Sequence, residues 1–217
     1  MKKLLLLFIS VFSLVACGST SDNISVNTEI SNPRSIIAIG DSLTIGLGLP
    51  TGDNYPSQLE GKLRELGYNY TIENAGISGD TSAGLLSRID WILDGANPDF
   101  VILCIGANDA FQGKSVADIE KNIRAIIEKI QSKNIRLVFA GMKAPFNMGA
   151  EYRNQYDTMF PRLAKEYKLE YVPFLLEGVA LNQKYNQDDR IHPNREGYTI
   201  VVSNIMEILE DSDLLKK

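Results

Sequence analysis

Short, almost unbroken apolar runs alternate along this chain with stretches whose apolar residues recur at helical spacing. "SIIAIG", "YNYTIEN", "FVILCIG", "IRLVFAG" and "LEYVPF" read as strands, and the near-continuous ones fit strands buried on both faces. Between them, Leu85, Leu86, Ile89, Ile92 and Leu93 trace one helical stripe, and Val116, Ile119, Ile123, Ile126, Ile127 and Ile130 trace another. Ile200, Val201, Ile205, Ile208 and Leu209 mark a last helix. This alternation predicts an α/β fold, a parallel sheet sandwiched between helices and joined by right-handed crossovers. No internal repeat interrupts it.

The N-terminal stretch follows a different pattern. "MKKLLLLFISVFSLVAC" places two lysines before about a dozen apolar residues, fewer than the ~20 a membrane-spanning helix needs, and so reads as an export signal. Its end, Leu14-Val15-Ala16-Cys17, resembles the lipobox of bacterial lipoproteins, in which the cysteine becomes a lipidated N-terminus. Residues 1–16 are thus expected to be a lipoprotein signal peptide. Acyl chains on Cys17, each buried CH₂ contributing ~0.8 kcal/mol, would hold an exported protein at a membrane face, toward the periplasm or the cell exterior. Residues 17–33, rich in Ser, Asn and Thr without periodicity, read as a flexible tether, and the folded body is expected over 34–217.

Composition narrows the function. The chain's 217 residues suit one domain, and 44% hydrophobic with 23% charged residues is ordinary for a globular protein. A formal charge of −5 gives no electrostatic footprint for nucleic acid. Two cysteines and one histidine are too few for a metal cluster of those residues.

Four polar clusters are predicted at one edge of the sheet, where ligands of open α/β sheets gather. Ser42 follows the first strand, "NAGISGDTS" the second and "GANDAF" the third, while "DDRIHPN" precedes the last helix. A serine hydroxyl needs a base to act as a nucleophile, and His192, the only histidine, lies three residues after Asp189. Asp188 competes as the carboxylate that orients it. Gly79 can offer an unobstructed backbone N–H to a developing oxyanion, and Asn108 a neutral side-chain donor.

Taken together, the blocks "GDSL", "SGD", "GAND" and "DRIH" resemble the SGNH hydrolases, also called GDSL esterases, from about Ser35 to the last helix. "ISGDTS" and "DDRIHPN" are most similar to bacterial periplasmic enzymes with thioesterase, arylesterase and lysophospholipase activity. The resemblance implies a flavodoxin-like three-layer sandwich with five parallel strands and a cofactor-free serine hydrolase. It makes Ser42 the nucleophile, His192 the base and Asp189 its orienter, with Ser42 N–H, Gly79 N–H and Asn108 as the oxyanion hole. The implied substrates are small acyl esters or thioesters, lysophospholipids among them. A carbohydrate acetyl esterase and a non-catalytic surface binding lipoprotein are the alternatives, whereas a nucleotide binder lacks a Gly-rich phosphate loop.

Other residues carry lesser expectations. Cys104 reads as a buried small hydrophobe, and Trp91 as a packing or capping residue beside Ile92. Asp41 and Asp109 read as carboxylates that hold loops near the site. In "GMKAPFNMGAEY", Met142, Pro145, Phe146 and Met148 either line an acyl groove or cover the sheet, with Pro145 and Phe146 the candidate substrate contacts.

Overall fold

The computed structural model describes residues 33–217. The segment expected to be a signal peptide, Cys17 and all of the expected tether but its last residue lie outside the described residues. Five strands, β1 (Arg34–Gly40), β2 (Tyr70–Gly76), β3 (Phe100–Cys104), β4 (Arg136–Ala140) and β5 (Glu170–Val172), form one sheet in the order β2-β1-β3-β4-β5. Every pairing is parallel. Ile36–Ile39 of β1 and all of β3 are buried, as strands covered on both faces require. β2 and β5 are the edges, and β5 is shorter than its apolar run because Pro173 has no N–H with which to continue the ladder.

Among the described residues, six α-helices lie between strands and a seventh follows the last: α1 (Ser42–Ile45), α2 (Tyr55–Glu65), α3 (Ser82–Leu93), α4 (Ala107–Phe111), α5 (Val116–Ser132), α6 (Ala150–Tyr167) and α7 (Arg195–Asp211). Helix α2 packs against α7, and α5 packs against α3 and α6, which gives the three-layer α/β sandwich. Helix α5 shows the local logic. Ser115 caps it by accepting from Asp118 N–H, and its six expected stripe residues are all buried. Each contributes roughly 1.5–3 kcal/mol of hydrophobic stabilisation.

Trp91 departs from expectation. It is 81% exposed, because its position on α3 rotates it away from the face formed by Leu85, Ile89 and Ile92, so the indole does not pack, although the Trp91 carbonyl accepts the N–H of the C-cap residue Asp94 at 3.3 Å. Cys104 is fully buried, and burial pushes its thiol pKa well up.

Register sets up the functional edge. Gly40 lies opposite Gly76 on one side and Cys104 on the other, and Ala140 lies opposite Val172. The carboxyl ends of the strands are therefore level. The chain passes from β1 to β2 in one direction and from β2 across to β3 in the other, so the β1/β3 boundary is a topological switch point.

Candidate active site

The link from β1 to α1 is the tightest element of this edge. A Cβ at Gly40 would stand 2.3 Å from Thr44 Oγ1 and 2.4 Å from the Cys104 carbonyl oxygen, so only glycine permits the chain to turn here. Asp41 then caps α1, its Oδ1 accepting from Leu43 N–H at 3.0 Å. Ser42 is the first residue of that helix and 8% exposed, and its N–H has no acceptor among the described residues, whereas the N–H groups of Leu43, Thr44 and Ile45 all bond to Asp41. Tyr198 of α7 donates its hydroxyl to the Leu43 carbonyl at 2.9 Å, which fixes the helix from beneath.

Ser42 Oγ lies 2.8 Å from His192 Nε2, and His192 Nδ1 lies 2.6 Å from Asp189 Oδ2. The other oxygen of Asp189 accepts backbone N–H groups of Ile191 at 2.9 Å and His192 at 3.0 Å. Desolvation pushes the Asp189 carboxyl up, but the hydrogen bonds from the His192 backbone and ring and from Ile191 outweigh it and hold the pKa at about 2. Asp189, rather than Asp188, is thus the carboxylate against the ring. The loop bearing the pair is closed by the bridge between Asn186 and Pro193 and by Gln187 N–H donating to the His192 carbonyl at 2.8 Å. Gln187 Nε2 also donates to the Leu47 carbonyl at 2.8 Å, tying the histidine loop to the chain just beyond α1.

Gly79 occupies a turn closed by Asp80 N–H donating to the Ile77 carbonyl at 3.1 Å, and its φ of +80° suits glycine. Its own N–H has no acceptor among the described residues. Asn108, on α4, donates Nδ2 to the Asp80 carbonyl at 2.9 Å and approaches Asp41 Oδ2 at 3.4 Å. The structure therefore brings Ser42, Asp189 and His192 into one hydrogen-bonded line, and it links Asn108 to the Gly79–Asp80 turn.

The two supporting carboxylates do hold loops. Asp109 accepts from both the backbone N–H and the hydroxyl of Ser82, each at 2.7 Å, joining α4 to the start of α3. Asp41 is 1% exposed, and burial pushes its pKa up to about 6 against the opposing pull of Leu43 N–H and the His192 charge. The loop after β4 divides between its two expected roles: Met142 is buried in the core, whereas the 3₁₀ turn Phe146–Met148 stays at the surface. Phe146 is exposed beneath the Arg153 guanidinium, 4.7 Å from its ring centroid, and Pro145 is half-buried; neither belongs to the hydrogen-bonded cluster.

Sequence spacing missed Gln187, Tyr198, Asp80 and Arg88. Of these only Arg88 carries a signal, as a charged residue next to the buried face of an apolar helix.

Comparison with known proteins places this chain among ester hydrolases. The family model described as GDSL-like Lipase/Acylhydrolase matches residues 38–200. The chain is 31% identical to "Esterase TesA" of Pseudomonas aeruginosa over 183 residues, covering 84% of this chain and 91% of that one. It is 30% identical to "Thioesterase 1/protease 1/lysophospholipase L1" of Escherichia coli strain K12, covering 77% of this chain and 79% of that one. Among solved structures, AlinE4, described as an SGNH-hydrolase family esterase, is 40% identical with a TM-score of 0.72, covering 84% of this chain and 97% of that one.

Proposed function

Since the chain belongs to the GDSL-like lipase/acylhydrolase family and is an ester hydrolase, we propose that it cleaves carboxylic esters and thioesters through an acyl-serine intermediate on Ser42. The observation that carries this reading is the line from Ser42 Oγ to His192 Nε2, 2.8 Å, and from Nδ1 to Asp189, 2.6 Å. His192 takes the hydroxyl proton at Nε2 as Oγ bonds to the acyl carbon, and Asp189 holds the ring and stabilises the imidazolium that forms. The oxyanion is received by Ser42 N–H, Gly79 N–H and Asn108 Nδ2. As the C–O or C–S bond breaks, His192 gives its proton to the leaving group. Water, deprotonated by the same imidazole, then releases the acid.

Apolar acyl chains are favoured by the rim of the site. Ile45 and Leu47 follow the serine, Ile77 precedes Gly79, Phe111 follows Asn108 and Ile191 precedes His192, and all five are exposed large hydrophobes. Burying an acyl chain against them removes apolar surface of both partners from water. Fatty acyl thioesters, aryl esters and lysophospholipids are the substrate types this suits, in line with the names of the relatives. The lipobox-like Leu14–Cys17 supports an exported enzyme held by acyl chains on Cys17 at a membrane face.

A fluorophosphonate probe tests the nucleophile. It should label the wild type at one serine and leave Ser42→Ala unlabelled and inactive on p-nitrophenyl esters; labelling that persists in Ser42→Ala overturns the assignment. In cells, Cys17→Ala should release the protein from membranes with its activity on soluble esters unchanged, and a variant still bound after a high-salt wash would remove the lipid anchor from the picture.

A further inference from the structure

Gly79 stands in the turn after β2 and Asn108 on α4, yet an oxyanion must meet both at hydrogen-bond distance. Arg88 of α3 links those two segments to each other and to the nucleophile. Its Nε donates to Asp80 Oδ2 at 2.8 Å, Nη1 to the Ala75 carbonyl at 3.0 Å and Nη2 to the Gly40 carbonyl at 3.2 Å. The pair is shielded, with side chains 17% (Arg88) and 9% (Asp80) exposed. Asp80 in turn closes the Gly79 turn through its N–H and accepts the Asn108 amide on its carbonyl at 2.9 Å. A Cβ at Gly84 would stand 2.2 Å from Asp80 Oδ1, so the carboxylate lies against the α3 backbone where a larger residue would displace it.

We propose that Arg88 is the positioning residue of the oxyanion hole. Through Asp80 it sets the Gly79 N–H and the Asn108 amide, and through the Gly40 carbonyl it holds both in register with Ser42. It touches no substrate, and its role rests on the reading of Gly79 and Asn108 as oxyanion donors. The planar fork is what the site requires: three acceptors in different directions are met at once by Nε, Nη1 and Nη2, which a lysine ammonium on a flexible stem does not reproduce. Donor placement matters steeply, since a misplacement of about 1 Å costs on the order of 10²-fold in rate.

The test compares R88K, R88Q, D80N, R88Q/D80N and G84A with the wild type on p-nitrophenyl butyrate, each with its melting temperature. All five should lose roughly 10- to 10²-fold in kcat with KM little changed, the signature of an interaction made in the transition state. R88Q and D80N each strand a shielded charge and should melt lower, whereas R88Q/D80N strands none and should recover in melting temperature but not in kcat. A purely structural Arg88 predicts the opposite, kcat recovering with stability in the double variant. That result, a loss confined to KM, or native kcat in R88K would overturn the proposal. If R88Q does not fold, R88K and G84A retain both charges and decide the matter by the same kcat reading. N108A serves as the control. Near-native kcat in N108A would discard the oxyanion-hole reading itself, whereas a crippled N108A beside fully active Arg88 variants would discard the clamp alone. Adding R88Q to N108A should cost less than R88Q costs in the wild type, because part of what Arg88 positions is already gone.

Discussion

Asp41→Asn should make the protein more stable and less active, and the size of the gain follows from burial. The Asp41 carboxyl is 1% exposed and its pKa rises from 3.8 to about 6, chiefly because its charged form is desolvated. Below the unfolded value of 3.8 both states hold the proton and there is no effect. As pH rises from 3.8 to about 6, the folded state binds more protons than the unfolded one, so stability falls. Above about 6 the full cost of the buried charge is present, roughly 3 kcal/mol at 1.36 kcal/mol per tenfold change in acidity. Asparagine keeps an oxygen to cap α1 at Leu43 N–H and carries no charge, so D41N should recover up to this amount at pH 7.5. For a domain of this size that is a rise of about 6–12 °C in melting temperature. Its charge also attracts the His192 imidazolium, so kcat should fall several-fold as stability rises. Thermal melts of both proteins from pH 4 to 8 read the difference directly. The reasoning fails if D41N is no more stable than wild type at pH 7.5, or if its advantage does not fade toward pH 4.

Asn108→Ala should lower kcat by roughly 10²–10³ with KM nearly constant, as expected for one oxyanion donor, and steady-state kinetics on a p-nitrophenyl ester measure it. Asp189→Asn should impair kcat strongly by misorienting the imidazole and removing stabilisation of its cation, whereas Asp188→Asn, outside the hydrogen-bonded line, should change it little. Because the Asp189 pKa is held down at about 2, its carboxylate stabilises the fold above the unfolded value of 3.8, and that contribution is lost as pH falls toward about 2. It is therefore ionised throughout an activity profile taken from pH 4 to 8, and its own titration should add no step to kcat/KM in that range.

The strands and the three main amphipathic helices were legible because their apolar residues obey one period each. The six stripe positions of α5 all reach the core. Helix α6 was not legible in the same way. It carries Pro161 inside its span and buries only Tyr156, Met159, Phe160, Leu163 and Ala164 among polar neighbours, so periodicity is diluted; its first residues read instead as the end of a loop. Trp91 shows the converse error, in which a large apolar residue one step from a stripe was read as part of it. A single residue on a helix shifts direction by about 100°, enough to place an indole wholly in water.

The site divides along similar lines. The hydrogen-bonded line of Ser42, His192 and Asp189 was legible because a hydroxyl, an imidazole and a carboxylate each occur in a short polar block between periodic elements, and the same reasoning singled out Gly79 and Asn108 as candidate donors beside it. What holds those blocks in place depends on contacts between distant positions, such as Tyr198 with Leu43 and Gln187 with Leu47. No local pattern reports such a contact. Arg88 is the intermediate case, since a charged residue beside a buried helical face must find partners or forfeit the burial. The sequence thus raises the question of what satisfies it, but only the fold supplies the three acceptors. That they belong to the strand end before Ser42, the strand end before Gly79 and the residue holding Asn108 makes Arg88 a link among all three parts of the site.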